Sequence, residues 1–185
     1  MKKVLLIVLV IVAILLLLFS CSYLWKEHDY DLADVQDVKT DENYIGVTYN
    51  KEEDVLKDDV LGILTIEKIG LNATVKEGST SDVLAEYVGH ISETPKYDGN
   101  IGLAAHNRFN KYSYFARINE LKNGDIITYK TKYGTKDYVV KKKSVIFETD
   151  WSNLEDDGTN KLTLITCIAN KRNQRLCVQA KLLDK

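Results

Sequence analysis

Lys161-Leu162-Thr163-Leu164-Ile165-Thr166-Cys167 and, seven residues further on, Arg175-Leu176-Cys177-Val178-Gln179-Ala180-Lys181-Leu182 are the stretches on which the fold turns. Both mix apolar and polar residues in the pattern of half-buried strands, and the first is rich in β-branched side chains. The polar interval between them, Asn170, Lys171 and Asn173, reads as a loop. A short loop makes the two strands antiparallel neighbours and sets Arg175 close to Cys167 across the pair.

Runs of the same kind recur upstream at 61–69, 72–75, 100–105, 125–129 and 136–147, with a last run over 175–183. Turn signals divide them, among them Asp98-Gly99-Asn100, Asn123-Gly124-Asp125 and Tyr133-Gly134. Seven or eight short strands in this length predict an all-β barrel or sandwich with short helices. The best helical segments are 80–87, with Thr80 or Ser81 as cap, and 112–121.

The N-terminus is of another kind. Met1-Lys2-Lys3 precedes an unbroken apolar run from Val4 to Phe19, extendable to Trp25, which is the length a bilayer span requires. Lysines before the run and acids after it place the N-terminus in the cytosol and the remainder outside. Residues 1–25 are therefore expected to be a transmembrane signal anchor of a single-pass type II cell-membrane protein. A cleaved signal peptide is the alternative, but no small-x-small site closes the run. Leu18-Phe19-Ser20-Cys21 loosely resembles a lipoprotein box, with a bulky Phe out of place.

Charge divides the rest of the chain. The segment from Lys26 to Val60 carries twelve acidic and four basic residues, and Leu61 to Lys185 fifteen and nineteen. Residues 26–59 are expected to be an acidic extracytoplasmic spacer, or a cover folded back on the basic domain, and 60–185 the functional domain. Lys130, Lys132, Lys136 and Lys141 to Lys143 gather around one hairpin, as on a solvated strand edge guarded against aggregation. Nothing in the pattern points to nucleic acid.

Three residues could carry chemistry. Cys167 ends its strand, where a thiol is both open and rigidly held; a buried structural cysteine is the ordinary alternative. His106 ends the apolar strand Asn100-Ile101-Gly102-Leu103-Ala104-Ala105, a placement that suits an acid/base imidazole. Arg175 could hold a carbonyl or developing oxyanion with fixed donors.

Taken together these stretches resemble one family, the sortases. Leu-Ile-Thr-Cys resembles the family's Thr-Leu-x-Thr-Cys, Gly-Leu-Ala-Ala-His its Ile-Ala-Gly-His, and Arg-Leu-Cys-Val-Gln-Ala-Lys-Leu its Arg-Leu-Val-Val-x-Ala-Lys-Leu. The order His, Cys, Arg is also the family's, and the likeness covers roughly Val60 to the C-terminus. It implies a sortase-type eight-stranded β-barrel behind a transmembrane helix. It further implies a cysteine transpeptidase that cleaves a Leu-Pro-x-Thr-Gly-like (LPxTG) sorting signal between Thr and Gly. The thioacyl enzyme then passes the surface protein to an amine of peptidoglycan precursor, with no metal or cofactor. The implied catalytic residues are His106, Cys167 and Arg175. His90, Ala105, Asn107 and Thr166 are candidates near the substrate, His90 with a structural role as the other reading. Ala105 and Asn107 depart from the residues usual beside the family's histidine.

Within the family, the 150–160 connection is short for the helical insertion of class B, and the only proline, Pro95, leaves no Asp-Pro-aromatic lid of class C. Class A or class D remains. Calcium activation, known in some class A members, would draw on Glu93, Asp98, Asp156 and Asp157. Cys177, two residues beyond Arg175 on the same strand face, could pair with Cys167 as a redox switch or lie buried as a free thiol. Two rival readings are another exported Cys/His peptidase, in which the Cys usually precedes the His, and a non-catalytic membrane-tethered domain that binds envelope polymer.

Overall fold

The computed structural model describes residues 60–107 and 111–183. The expected anchor over 1–25, with Cys21, and the spacer over 26–59 lie outside them. Among the described residues no helix is long and apolar enough to cross a membrane.

Eight strands run β1 (Val60–Ile66), β2 (Leu71–Glu77), β3 (Val88–His90), β4 (Asn100–Ala104), β5 (Ile126–Thr131), β6 (Gly134–Phe147), β7 (Lys161–Ile168) and β8 (Lys171–Leu182). They close into a barrel in the order β1-β2-β3-β4-β7-β8-β6-β5. Two pairs are parallel, β2 with β3 and β4 with β7; the others are antiparallel. Alternate residues of β4, β7 and β8, such as Ile101, Leu103, Leu162, Leu164, Leu176 and Val178, are buried in a single apolar core. Tyr129 and Tyr138 fill it further, and burial raises the pKa of both phenols.

Four expectations need correction. The lysine-rich hairpin is a strand edge only in part: β5 pairs with both β1 and β6, whereas β6 pairs with β5 up to Val139 and with β8 from Tyr138 onward, so Lys136 and Lys141 to Lys143 have a strand on one side only. Lys136 donates to the Tyr97 carbonyl at 2.8 Å and lies over the Tyr97 ring. Lys143 turns to the carbonyls of Asn119 and Leu121, and burial lowers its pKa. The 112–121 segment is turns ending in one 3-10 turn, Ile118–Glu120, because long-range bonds such as Phe115 N–H to the His106 carbonyl replace helical ones. The helix expected over 80–87 contracts to α1 (Ser81–Leu84), and the Thr80 side chain makes no capping bond. Finally, β1 stops at Ile66, and Glu67–Ile69 form a 3-10 turn.

The short strand β3 carries His90, which is fully buried. Its Nε2 donates to the Pro95 carbonyl at 3.0 Å and lies 3.1 Å from Thr94 Oγ1, and its Nδ1 is 3.3 Å from the Glu77 carboxylate. Thr94 in turn donates to the Ile91 carbonyl and accepts the Gly102 N–H. The imidazole thus holds the β3–β4 loop to β3, and Thr94 ties that loop to β4. His90→Ala is expected to lower the unfolding free energy by about 2–4 kcal/mol, through a cavity and unpaired buried acceptors. Urea denaturation of the full-length protein followed by tryptophan fluorescence would measure it, and an unchanged value would refute the account.

Candidate functional site

Register assembles the site. Parallel pairing sets Gly102 beside Thr163 and Ala104 beside Ile165. Antiparallel pairing sets Thr163 beside Gln179, Ile165 beside Cys177 and Cys167 beside Arg175. All these residues point away from the core, since their neighbours in sequence point into it. The outer face of β4, β7 and β8 therefore carries Gly102, Thr163 and Gln179 in one row, and Ala104, Ile165 and Cys177 in the next. Cys167 and Arg175 make a third, and His106 follows Ala104 by two residues as Cys167 follows Ile165.

Bonds beyond the ladder keep that alignment. The Ala105 N–H donates to the Ile165 carbonyl at 3.4 Å, Thr166 Oγ1 donates to the Ala105 carbonyl at 2.7 Å, and Asn107 Nδ2 donates to the Cys167 carbonyl at 3.0 Å. Ala105 and Thr166 are buried, so they act on this geometry from below. Asn107 bridges the two strand ends that bear His106 and Cys167. His90 has no exposed surface and does not reach this face.

The strand β8 begins at Lys171, not at Arg175. A tight turn through Ala169 and Asn170 replaces the expected loop, with Asn170 at φ 63°, a left-handed conformation that asparagine tolerates. Arg175 is thereby held within a strand. One terminal nitrogen donates to the carbonyls of Arg172 and Gln174 at 2.8 and 2.9 Å, and the other donates to Glu148 at 2.7 Å. Residues beyond β6 complete the surface. A cleft of about 590 Å³ has Ala104, Ile165 and Arg175 along the sheet and Phe147, Glu148 and Trp151 in its wall. A neighbouring hollow of about 380 Å³ shares Ile91, Glu93 and Trp151 with it.

Sequence reasoning missed Glu148 and Trp151. The exposed Trp151 follows a strand end, and a large aromatic in a polar loop was the one signal available. The calcium candidates do not converge: Asp98 pairs with Lys136 and Asp157 with Lys161. Among the described residues no three His, Cys, Asp or Glu side chains form a metal site.

The two described cysteines are free and unlike. Cys167 is exposed, whereas burial pushes the Cys177 thiol up to about 12. At pH 8 iodoacetamide is expected to alkylate Cys167 and to leave Cys177 unmodified until denaturant is added. Peptide mass mapping distinguishes the two sites, and native labelling of Cys177 would contradict its burial.

Comparison with known proteins agrees with this geometry. The family model described as Sortase domain matches residues 64–183. Sortase A of Bacillus anthracis is 29% identical over 157 residues, covering 84% of this chain and 73% of that protein. The structure of a Sortase D5 transpeptidase from Clostridium perfringens superposes with a TM-score of 0.62 at 30% identity, covering 73% of this chain and 90% of that one. Sortase C-1 from Actinomyces oris gives 0.66 at 25%, covering 71% and 77%. These likenesses displace both the peptidase and the non-catalytic binding readings. A barrel of this strand order and a match across nearly all of it place the chain in the sortase family, the cysteine transpeptidases.

Proposed function

We propose that Cys167, His106 and Arg175 are the catalytic residues, and that the cleft beside them takes an LPxTG-like sorting signal of a surface protein. What supports this is the pairing of Cys167 with Arg175 across β7 and β8, the position of His106 two residues past the Ala104–Ile165 pair, and the cleft that Arg175 lines. The Cys167 thiolate attacks the Thr carbonyl of the signal. The resulting oxyanion is met by the Arg175 guanidinium, whose fork keeps its charge throughout. The imidazolium of His106 gives its proton to the departing Gly nitrogen as the C–N bond breaks, leaving a thioacyl enzyme. Neutral His106 then takes a proton from the incoming amine, which attacks the thioester and expels the thiolate. The amine is that of a peptidoglycan precursor. No step calls for a metal or cofactor.

The same reading sets the protein in the cell membrane of a Gram-positive cell, through an anchor over 1–25 with the catalytic domain outside. The lysines at the N-terminus and the apolar run support it. The 148–160 connection, with the single 3-10 turn Ser152–Leu154, supports a class A or class D enzyme over class B.

Full-length protein in detergent, incubated with Leu-Pro-x-Thr-Gly-like peptides and a glycine or diamino acid amine, is expected to cleave before Gly. Mass spectrometry should find the acyl group on Cys167. Cys167→Ala and His106→Ala should abolish turnover, and Arg175→Lys should lower kcat by about a hundredfold. Turnover surviving Cys167→Ala would sink the mechanism, and no cleavage across the panel would sink the proposed signal.

A further inference from the structure

The connection from Glu148 to Asn160 walls the cleft, yet its only regular structure is one 3-10 turn. Left to itself such a segment would open locally at little cost. Here three side chains from three different strands converge on its backbone. Asn100 is fully buried, and its Nδ2 donates to the carbonyls of Asn153 and Glu155 at 2.9 and 3.0 Å. Gln179 Nε2 donates to the same Asn153 carbonyl at 2.9 Å, so both lone pairs of that oxygen are used. The buried Thr163 hydroxyl donates to Asn100 Oδ1 at 2.7 Å and so fixes which way the Asn100 amide faces.

Packing and the loop's far end reinforce the clip. A Cβ on Gly102 would stand 2.8 Å from the Leu154 side chain, so this glycine lets Leu154 seat against β4. Asn160 accepts the Gly99 N–H at 2.8 Å, and Lys161 N–H returns a bond to the Gly99 carbonyl. Thr163 and Gln179 share their row with Gly102, one row beyond the cleft floor and two rows from Cys167 and Arg175.

We propose that Asn100, Thr163 and Gln179 are positioning residues that hold the 148–160 connection as a preformed cleft wall, so that substrate affinity depends on them while the chemical step does not. A wall already ordered spares the entropy of ordering it on binding, and releasing it returns that cost to KM. The kinetic part of this inference rests on the cleft being the peptide site, as proposed above.

Thr163→Val, Thr163→Ser and Gln179→Leu test it in the full-length protein, with a fluorogenic Leu-Pro-Gln-Thr-Gly peptide as substrate. Thr163→Val and Gln179→Leu are expected to raise KM about tenfold with kcat within about twofold, and Thr163→Ser, which keeps the hydroxyl, to restore wild-type KM. Without substrate, chymotrypsin should cut at Trp151 and Leu154 at least about tenfold faster in the valine and leucine variants. Equal cutting in all proteins would overturn the clip. Faster cutting with KM unchanged and wild-type turnover intact would overturn its link to affinity. If the wild type fails to cleave the peptide, the signal reading falls, and the proteolysis still decides the clip.

Discussion

The parallel pairing of β4 with β7 is the constraint on which the rest of this protein depends. Parallel neighbours cannot be joined by a tight turn, so a long stretch of chain must intervene, and here it includes β5 and β6. Those two strands complete the barrel: β6 pairs with β8, and β5 returns to β1. Closure therefore fixes the register of β4 on β7, and that register sets residues 61 positions apart side by side. A slip of one residue would turn Cys167 into the core and Thr166 outward, exchanging the exposed thiol for a hydroxyl that now bonds Ala105.

Both strands of a parallel pair end at the same edge, so β4 and β7 deliver His106 and Cys167 to one rim. The antiparallel β8 then runs back past them and brings Arg175 alongside from its interior. The inner face of these strands carries apolar core, and the outer face is divided by function along its length. Nearest the rim is the row of Cys167 and Arg175, then the apolar floor, then the polar row that grips the connection. Cys167 and Cys177 lie in adjacent rows on that face, yet one is open and the other sealed, which separates an accessible thiol from a buried one within one short strand pair.

Much of this was legible in the sequence because side-chain alternation records burial directly. Seven of the eight strands, the all-β class and the strand-end positions of His106 and Cys167 follow from patterns of period two and from strand ends, whereas the choice of barrel over sandwich came from the family resemblance. The strand β3 was not legible: three residues with a central glycine are too few to show a period. Gly89 is nonetheless obligatory there, since a Cβ would meet the Gly78 carbonyl oxygen at 2.4 Å. The interval before Arg175 looked like loop because Arg172, Asn173 and Gln174 are polar, whereas they extend a hairpin arm. The grip on the connection was invisible for a different reason. Its acceptors are backbone carbonyls of Asn153 and Glu155, which leave no mark on residue identity.

The surroundings of Arg175 explain why this position takes arginine. Its two terminal nitrogens serve two backbone carbonyls and one carboxylate, a spread of acceptors that suits a planar fork and not a single ammonium. Both carbonyl bonds come from its own strand, so they orient the group whether or not anything occupies the cleft. The bond to Glu148 is of another kind. Glu148 is the more exposed partner, with 42% of its side chain accessible, and exposed ion pairs contribute only about 0–1 kcal/mol. A contact that weak aligns the guanidinium and yields readily to another acceptor. The strand thus supplies the rigid part of the arginine's placement, and the carboxylate beyond β6 supplies the part that can be exchanged.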